Sequence, residues 1–344
     1  MNEYQRERYL RQTIFAPFGV AGQERLLAAR VVIVGCGANG SMMASTLARA
    51  GVGTLVVADR DFVELKNLQR QILFDEDDVA RGTPKAIAAA AKLRRANSSI
   101  QIEGIVTDVN AENIEDLIAG ATLVMDGTDN FETRFLINDA CVKHSIPWVY
   151  AGAVASYGMT MTIVPRETAC LRCAFTRAPA PGTLPTCDTA GIIPPIVNVI
   201  ASIASAEAIK FIAGAGTRNP GIINVDLWDN SYESFAIARR DDCPVCGHAP
   251  RKFEYLDGER GGTMTAFLCG RNAMQVNPGR GHTLNLAALA ERLREIGKIS
   301  LNEFLLRLEI GDYEITLFPD ARAIIKGTDD AAVARGIYAK YIGT

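Results

Sequence analysis

No apolar run in this sequence is both long and unbroken. The longest, PPIVNVIASIASAEAIKFIAGAG, is interrupted by Asn198, Glu207 and Lys210, and the opening MNEYQRERYLRQ is too polar for a signal peptide. A soluble cytoplasmic protein with no membrane partner is therefore expected. An excess of charge of either sign is also missing: 36 basic against 39 acidic residues leave a net charge of −3, which gives no reason to expect a nucleic acid partner. Repeats and low-complexity tracts are absent. Cysteine is too sparse for a disulfide scaffold, at eight in 344 residues, yet four of the eight fall in two Cys-x-x-Cys pairs, which points to metal in a reducing compartment. Histidine occurs three times, as His144, His248 and His282, and never within the motifs described below. The chemistry must be argued without imidazole.

At roughly 100–200 residues per domain, the length implies two domains or one large domain with an appendage. Apolar runs alternate with helical patterns along the first half. RVVIV at 30–34 is a β-branched strand candidate, GSMMASTLARAG after it has helical character, and TLVVA at 54–58 is a strand again, which makes a βαβ unit. Pro84 sits where a helix can begin, and KAIAAAAKLRRA follows; then come a strand at 100–106, a helix at 111–119 and the strand TLVMD. Such alternation predicts an α/β fold with a doubly wound, mostly parallel Rossmann-like sheet. After Trp148, YGMTMTIVP alternates like an exposed antiparallel strand, an antiparallel extension of that sheet, and 194–214 reads as a long apolar helix. LDGERGGT near Leu256 has linker composition. The expected division is a first domain over 1–255 and a small C-terminal α+β domain over 256–344, read as a strand, the helix LAALAERLREIG, the strands FLLRLEI, YEITLFP and RAIIKG, and a last helix.

Gly35-Cys36-Gly37-Ala38-Asn39-Gly40 fits G-x-G-x-x-G between a strand and a helix, where backbone N–H groups and the helix dipole hold an anion. Asp59, 19 residues past Gly40, stands where it can accept ribose hydroxyls. The competing reading is that the glycines serve only close helix-to-strand packing. A dehydrogenase has little use for extra cations near the phosphates, whereas nucleotidyl transfer redistributes negative charge over an α-phosphate and a departing pyrophosphate. Asn67 and Arg70 in LKNLQRQ, Lys85 in RGTPKA and Asp129 in DGTDN supply an amide, two cations and a metal-binding carboxylate. Taken singly, Arg70 and Lys85 read equally well as solvated charges, and Asp129 as the N-cap of the helix FETRFLIND. Cys170-x-x-Cys173 and Cys243-x-x-Cys246 together have the composition of a closed four-thiolate zinc site; a redox Cys-x-x-Cys is the alternative. Cys187, in the Pro- and Gly-rich LPTCDTAG, is a thiol with nucleophilic potential or a loop cysteine with no duty. Cys36, Cys141 and Cys269 read as small apolar residues.

Taken together, RYLRQ, GCGANG, the acidic pair Asp59 and Asp61, NLQRQ, GTPK, GTDN, the cysteine pairs and TCDTAGIIPPIVNVIASIASAEAIK resemble the ThiF/MoeB/HesA group of E1-like adenylyltransferases, relatives of ubiquitin-activating enzymes, over about Tyr9 to Ala249. The resemblance implies an enzyme that uses ATP and Mg2+ to attach AMP to the C-terminal glycine of a ubiquitin-like sulfur carrier ending in Gly-Gly, of ThiS or MoaD type, with release of pyrophosphate. It implies that Gly35, Gly37, Gly40, Asp59, Asp61 and Asn130 surround the nucleotide. Asn67, Arg70 and Lys85 would contact its phosphates, and Asp129 would hold magnesium. It further implies Zn2+ on the four paired cysteines, a homodimer in which Arg11 reaches the partner's site, and a covalent role for Cys187 in some members. The rhodanese domain of longer relatives is missing, so sulfur would come from a separate donor. The C-terminal part resembles the extension of some thiazole-pathway ThiF proteins, for docking or for stability. Activation of a modifier for protein conjugation, an NAD(P)-dependent oxidoreductase and a non-enzymatic carrier-binding scaffold are the rival functions.

Overall fold

The computed structural model describes residues 1–177, 190–248, 250–258, 265–268, 272–277 and 283–342. They form two compact units, Met1–Gly261 and Gly262–Thr344.

The first unit is built on a sheet of eight strands: β1 (Arg30–Val34), β2 (Thr54–Asp59), β3 (Gln101–Val106), β4 (Leu123–Asp126), β5 (Trp148–Val154), β6 (Tyr157–Ile163), β7 (Gly221–Asp226) and β8 (Ser231–Ala236), in the order β3-β2-β1-β4-β5-β6-β7-β8. The first five are parallel and the last three antiparallel. Alternation along β1 feeds two cores at once. Val31 and Ile33 join Met43, Leu47, Leu55 and Leu93 on one face, while Val32 and Val34 join Phe135, Trp148 and Ile163 on the other. A strand buried on both faces must be continuously apolar, which is why RVVIV shows no polar residue after Arg30. The helices Ala38–Ala50, Lys85–Ala96 and Pro194–Ala213 contribute to the first core, and Ile114–Ile118 and Phe131–Lys143 to the second.

Pro194–Ala213 begins with proline, where the missing N–H costs nothing, and ends at Gly214 in the left-handed region. It is long and apolar enough to cross a membrane, yet Ile196, Val197, Ile200, Ala204 and Ala208 are buried in the first core of the sheet unit.

The second half departs from expectation in several elements. β6 is antiparallel as expected but not exposed: it lies between β5 and β7, with Thr160 and Thr162 buried. The alternating threonines look solvent-facing in sequence, but the Thr160 hydroxyl donates to the Tyr150 carbonyl at 2.7 Å and the Thr162 hydroxyl to Glu207 at 3.3 Å. Satisfied hydroxyls are tolerated in a core. β5, β7, β8 and the Glu76–Arg81 helix lie in stretches where no element was expected. The helix expected at 111–119 forms only over Ile114–Ile118.

The second unit is an all-antiparallel sheet of six strands: β9 (Thr265–Leu268), β10 (Ala273–Val276), β11 (Lys298–Leu301), β12 (Leu306–Ile310), β13 (Tyr313–Leu317) and β14 (Ala323–Lys326), ordered β11-β12-β13-β14-β10-β9. Its helices Leu286–Leu293 and Ala331–Tyr341 are N-capped by Asn285 and Asp330 and pack with Met274, Leu308, Ile315 and Ile325. β10 and β11 were not foreseen; each has only four residues, too few for a period to register.

Candidate active site

The strand order reverses between β1 and β4. β1 leads outward to β2 and β3, and the chain then returns to place β4 on the other side of β1. Ligand crevices in such sheets open at the carboxyl ends of the two strands that flank the reversal. Val34 and Asp126 are register partners at those ends, so the glycine turn after β1 meets the GTDN segment after β4.

The glycines divide the work. Gly35 has φ +87°, and a Cβ there would stand 2.8 Å from the Gly127 carbonyl carbon. A Cβ on Gly40 would lie 2.0 Å from the Gly35 carbonyl oxygen, and one on Gly127 2.3 Å from the same oxygen. These three glycines let the two loops pack directly on one another. Gly37 differs: its Cβ would meet nothing closer than 3.8 Å. It is the N-cap of the Ala38–Ala50 helix and makes no side-chain cap, so the first amides of that helix are left for an anion. The packing reading holds at Gly35 and Gly40, and the space around Gly37 is compatible with the ligand reading.

Asp59, at the end of β2, accepts from Cys36 N at 2.5 Å through Oδ2 and from Asp61 N at 2.7 Å through Oδ1. Burial raises its pKa, opposed by the charge of Lys85. A carboxylate has about four acceptor positions, so these two bonds fix it and leave capacity for ribose hydroxyls. Lys85 is 3% exposed, which removes its reading as a solvated surface charge. Its amide donates to the Asp61 carbonyl at 2.8 Å and its Nζ lies 3.2 Å from Asp61 Oδ2. Asn67 is buried in a short 3-10 turn, Leu65–Asn67, where its Oδ1 accepts from Glu64 N at 3.3 Å. Arg70 is partly buried and donates through Nη1 to the Lys66 carbonyl at 3.0 Å. Asp129 is exposed, and the N-cap of the Phe131–Lys143 helix is Asn130, whose side chain accepts from Thr133 N at 2.9 Å. Asp129 is therefore not the cap, and an exposed carboxylate two residues past Gly127 fits magnesium, which takes one or two carboxylates and completes its shell with phosphate and water.

Sequence reasoning passed over several residues. Gln71 is 4% exposed and lies beside Gly37, and among the described residues its Oε1 has no hydrogen-bond partner; nor does the buried Asn39 Oδ1. The only available signal was their membership of NLQRQ and GCGANG. Arg60 forms an ion pair with Asp108 at 2.9 Å and adds positive charge near Asp61 and Asp129.

Arg11 is not brought to this site. It is exposed on the Leu10–Thr13 helix, and the next residue, Gln12, donates to the Ala50 carbonyl at 2.9 Å. That is the far end of the Ala38–Ala50 helix from Gly37, about 18 Å at 1.5 Å per residue, further than an arginine side chain spans.

The four paired cysteines converge. Cys170, Cys173, Cys243 and Cys246 are buried and their sulfurs lie within 4.8 Å of one another, with Cys170 to Cys243 at 3.7 Å and Cys173 to Cys246 at 3.4 Å. Four thiolates about 2.3 Å from a central zinc stand about 3.8 Å apart, so the donor set fits that ion. The cluster packs on the Phe131–Lys143 helix, where Leu171 N donates to Asn138 Oδ1 at 2.9 Å and Tyr255 N to Asp139 Oδ2 at 3.0 Å.

Cys36 and Cys141 are fully buried, and burial pushes both thiols up. Cys187 and Cys269 lie outside the described residues, as does His282. His144 pairs with Glu115 at the surface, and His248 is exposed 3.3 Å from Asp241.

The ThiF family matches residues 9–245. A sulfur carrier protein ThiS adenylyltransferase from Bacillus subtilis is 45% identical over 339 residues, 98% of this chain and 99% of its own length. One of the same name from Escherichia coli is 39% identical over 72% of this chain and 97% of its own length, so more than a quarter of this chain has no counterpart there. A SAMP-activating enzyme E1 from Haloferax volcanii is 41% identical over 71% of this chain and 89% of its own. Among solved structures, E. coli MccB with ATP superposes with a TM-score of 0.62 at 28% identity, covering 72% of this chain and 76% of that one. MccB with N-formylated MccA gives 0.64 at 27%, covering 72% and 77%. The enzyme is a nucleotidyltransferase, and the chain belongs to the ThiF family.

Proposed function

We propose that this enzyme adenylates the C-terminal glycine of a ThiS-type ubiquitin-like sulfur carrier, for sulfur transfer into the thiazole of thiamine. A carboxylate oxygen of the carrier attacks the α-phosphorus of ATP, the bond to the bridging oxygen of pyrophosphate breaks, and a carrier acyl adenylate results. The observation that carries this reading is the meeting of the glycine turn, Asp59, the buried Lys85 and the GTDN segment at the strand reversal, in a chain 45% identical to a ThiS adenylyltransferase along its length. The carrier carboxylate is already ionised at neutral pH, so alignment and charge screening are needed more than a general base. Arg70 and Lys85 supply fixed positive charge toward the phosphates, and Asn67, Asp61 and Asn130 shape the surrounding loops. Magnesium bound at Asp129 supplies further screening of the triphosphate. Zinc on the four cysteines is structural. A biosynthetic carrier of this kind and a separate sulfur donor are met in the cytoplasm. The second domain serves docking or stability.

The test is a panel of carriers ending in Gly-Gly, each assayed for ATP–pyrophosphate exchange. A ThiS-type carrier is expected to give the largest kcat/KM; exchange with none of them would sink the assignment. Activation of a protein modifier is the second reading, favoured by the similarity to the Haloferax enzyme, and preference for such a modifier in the same panel would establish it. An oxidoreductase is disfavoured by the buried Lys85, a cation that hydride transfer leaves without a role.

The homodimer belongs to the same proposal. Arg11 stands among Leu10, Ile14 and Phe15, which are 50–64% exposed, an apolar surface suited to a second copy of this chain. Mixing Arg11→Ala with Lys85→Ala subunits should then restore activity, to roughly a quarter of the sites, because one of the two sites in each mixed dimer is intact. No recovery after proven subunit exchange would argue for a site within one chain.

Cys187 is proposed to act after adenylation. Cys187→Ser should leave pyrophosphate exchange intact and abolish any thiol-sensitive adduct between enzyme and carrier on a non-reducing gel. An adduct that persists assigns the nucleophile to another thiol.

A further inference from the structure

Arg134 lies on the Phe131–Lys143 helix and was named by none of the sequence motifs, yet it is 7% exposed and faces the loop that joins β4 to that helix. Its Nη2 donates to the Thr128 carbonyl at 2.7 Å, and its Nε lies 3.3 Å from Asp126 Oδ2. The other oxygen of Asp126 accepts from the Thr128 amide at 2.9 Å and the Thr128 hydroxyl at 2.6 Å. Thr128 is thus held from both ends of its backbone. The guanidinium is clamped between two rings, 5.1 Å from the Phe131 centroid and 5.2 Å from that of Tyr150. Directly after Thr128 come Asp129 and the cap residue Asn130.

A buried ion pair is a poor source of stability, since desolvation consumes most of the attraction and an apolar pair of like size often does as well. Asp126 is fully buried, and burial raises its pKa against the pull of Arg134. What the pair supplies is geometry. A planar guanidinium fixed by two rings and two acceptors has little freedom, so the carbonyl it holds has little either.

We propose that Arg134 is a positioning residue for the adenylation site: with Asp126 it fixes the backbone of the 126–130 loop, and so sets where the exposed carboxylate of Asp129 stands relative to the glycine turn. The inference deepens the proposed function and rests on it for its catalytic arm; its structural arm is independent. Misplacement of a site group by about 1 Å costs up to about 100-fold in rate.

The experiment measures amide hydrogen exchange in the peptide containing Gly127–Asn130, the kinetics of ATP–pyrophosphate exchange and the melting temperature, for Arg134→Met and Arg134→Lys in the full chain. Arg134→Met preserves bulk and removes the fork. It should speed amide exchange in that peptide about tenfold or more and lower kcat about 10- to 100-fold, with KM for ATP changed less than about threefold. Lysine can still donate to the Thr128 carbonyl, and should recover part of both. Unchanged amide exchange in folded Arg134→Met overturns the proposal, as does loss of kcat that only tracks the fall in melting temperature. Should Arg134→Met not fold, Thr128→Val removes the hydroxyl bond to Asp126 from the opposite side; parental amide exchange and kcat in that variant overturn the proposal too. If the unmutated enzyme fails to exchange pyrophosphate with any of the carriers, the functional reading fails while the amide exchange still decides the role of Arg134.

Discussion

Arg70→Ala is expected to lower carrier-dependent ATP–pyrophosphate exchange by about 10²–10³-fold, the range for removing one fixed donor from a charge-stabilising site. Nucleotide affinity should fall much less if, as proposed, Arg70 serves the charge that develops on the departing pyrophosphate more than the charge already present on bound ATP. The local structure favours this asymmetry. Arg70 is partly buried, and one of its nitrogens is tethered to the Lys66 carbonyl at 3.0 Å, so the guanidinium is partly organised before substrate arrives. Equilibrium titration of ATP beside the exchange assay separates the two effects. Near-parental exchange by the variant removes Arg70 from the mechanism, whereas an equal loss in affinity and rate makes it a ground-state binding group.

The second large effect concerns the thiolate cluster. Purified protein should contain about one zinc per chain, and Cys243→Ser should lose it. Small zinc-finger peptides draw about 10–16 kcal/mol from their metal. Here the sheet has its own cores, so the expected cost is smaller, on the order of several kcal/mol, or about 10 °C or more in melting temperature for a domain of this size. Scanning calorimetry with metal analysis checks both. Metal-free protein that melts as the parent does would refute the site. A fall in stability is also expected to reach the active site, because the cluster leans on the Phe131–Lys143 helix through Asn138 and Asp139, and the N-terminus of that helix carries Asn130 and follows Asp129.

How much of this was readable in the amino acids depends on the range of the contacts that decide each feature. Most of the parallel half was legible because β1 to β4 are short apolar runs separated by helical patterns, one of them with a start signal at Pro84, whereas β5, WVYAGAV, was not foreseen. The glycine turn was legible because its requirements are local. Gly127 was not seen as its counterpart: the clash that requires glycine there is with Gly35 and Gly40, about ninety residues away in the chain, and only the sheet order brings them together. Arg134 was hidden for the same reason, its acceptors being fixed by where β4 ends. The antiparallel half misled because burial there is shared with hydroxyls. Thr160 and Thr162 imitate a solvent face while bonding within the core, and β8, exposed on five of six residues, has no apolar period at all. Asn130, one residue on, takes the cap that was the alternative reading of Asp129, and that displacement leaves the Asp129 carboxylate exposed.

The spacing of the cysteine pairs sets an order of events during synthesis. A ribosome that has released the chain as far as Ala174 has produced only one dithiol, and the second follows after the long Pro194–Ala213 helix and the β7–β8 hairpin. β7 and β8 close as a hairpin, and the helix and β7 dock on elements the ribosome has already released, the Ala38–Ala50 helix and β6, while closure of a bare loop of this length costs an amount that rises only as the logarithm of its length. On this topology an ion taken up by the four thiolates would arrive as a late latch on a sheet already formed, the reverse of a zinc finger, where it is the nucleus. Chelation during refolding should therefore leave early sheet formation at its normal rate and remove only the final slow gain in resistance to protease.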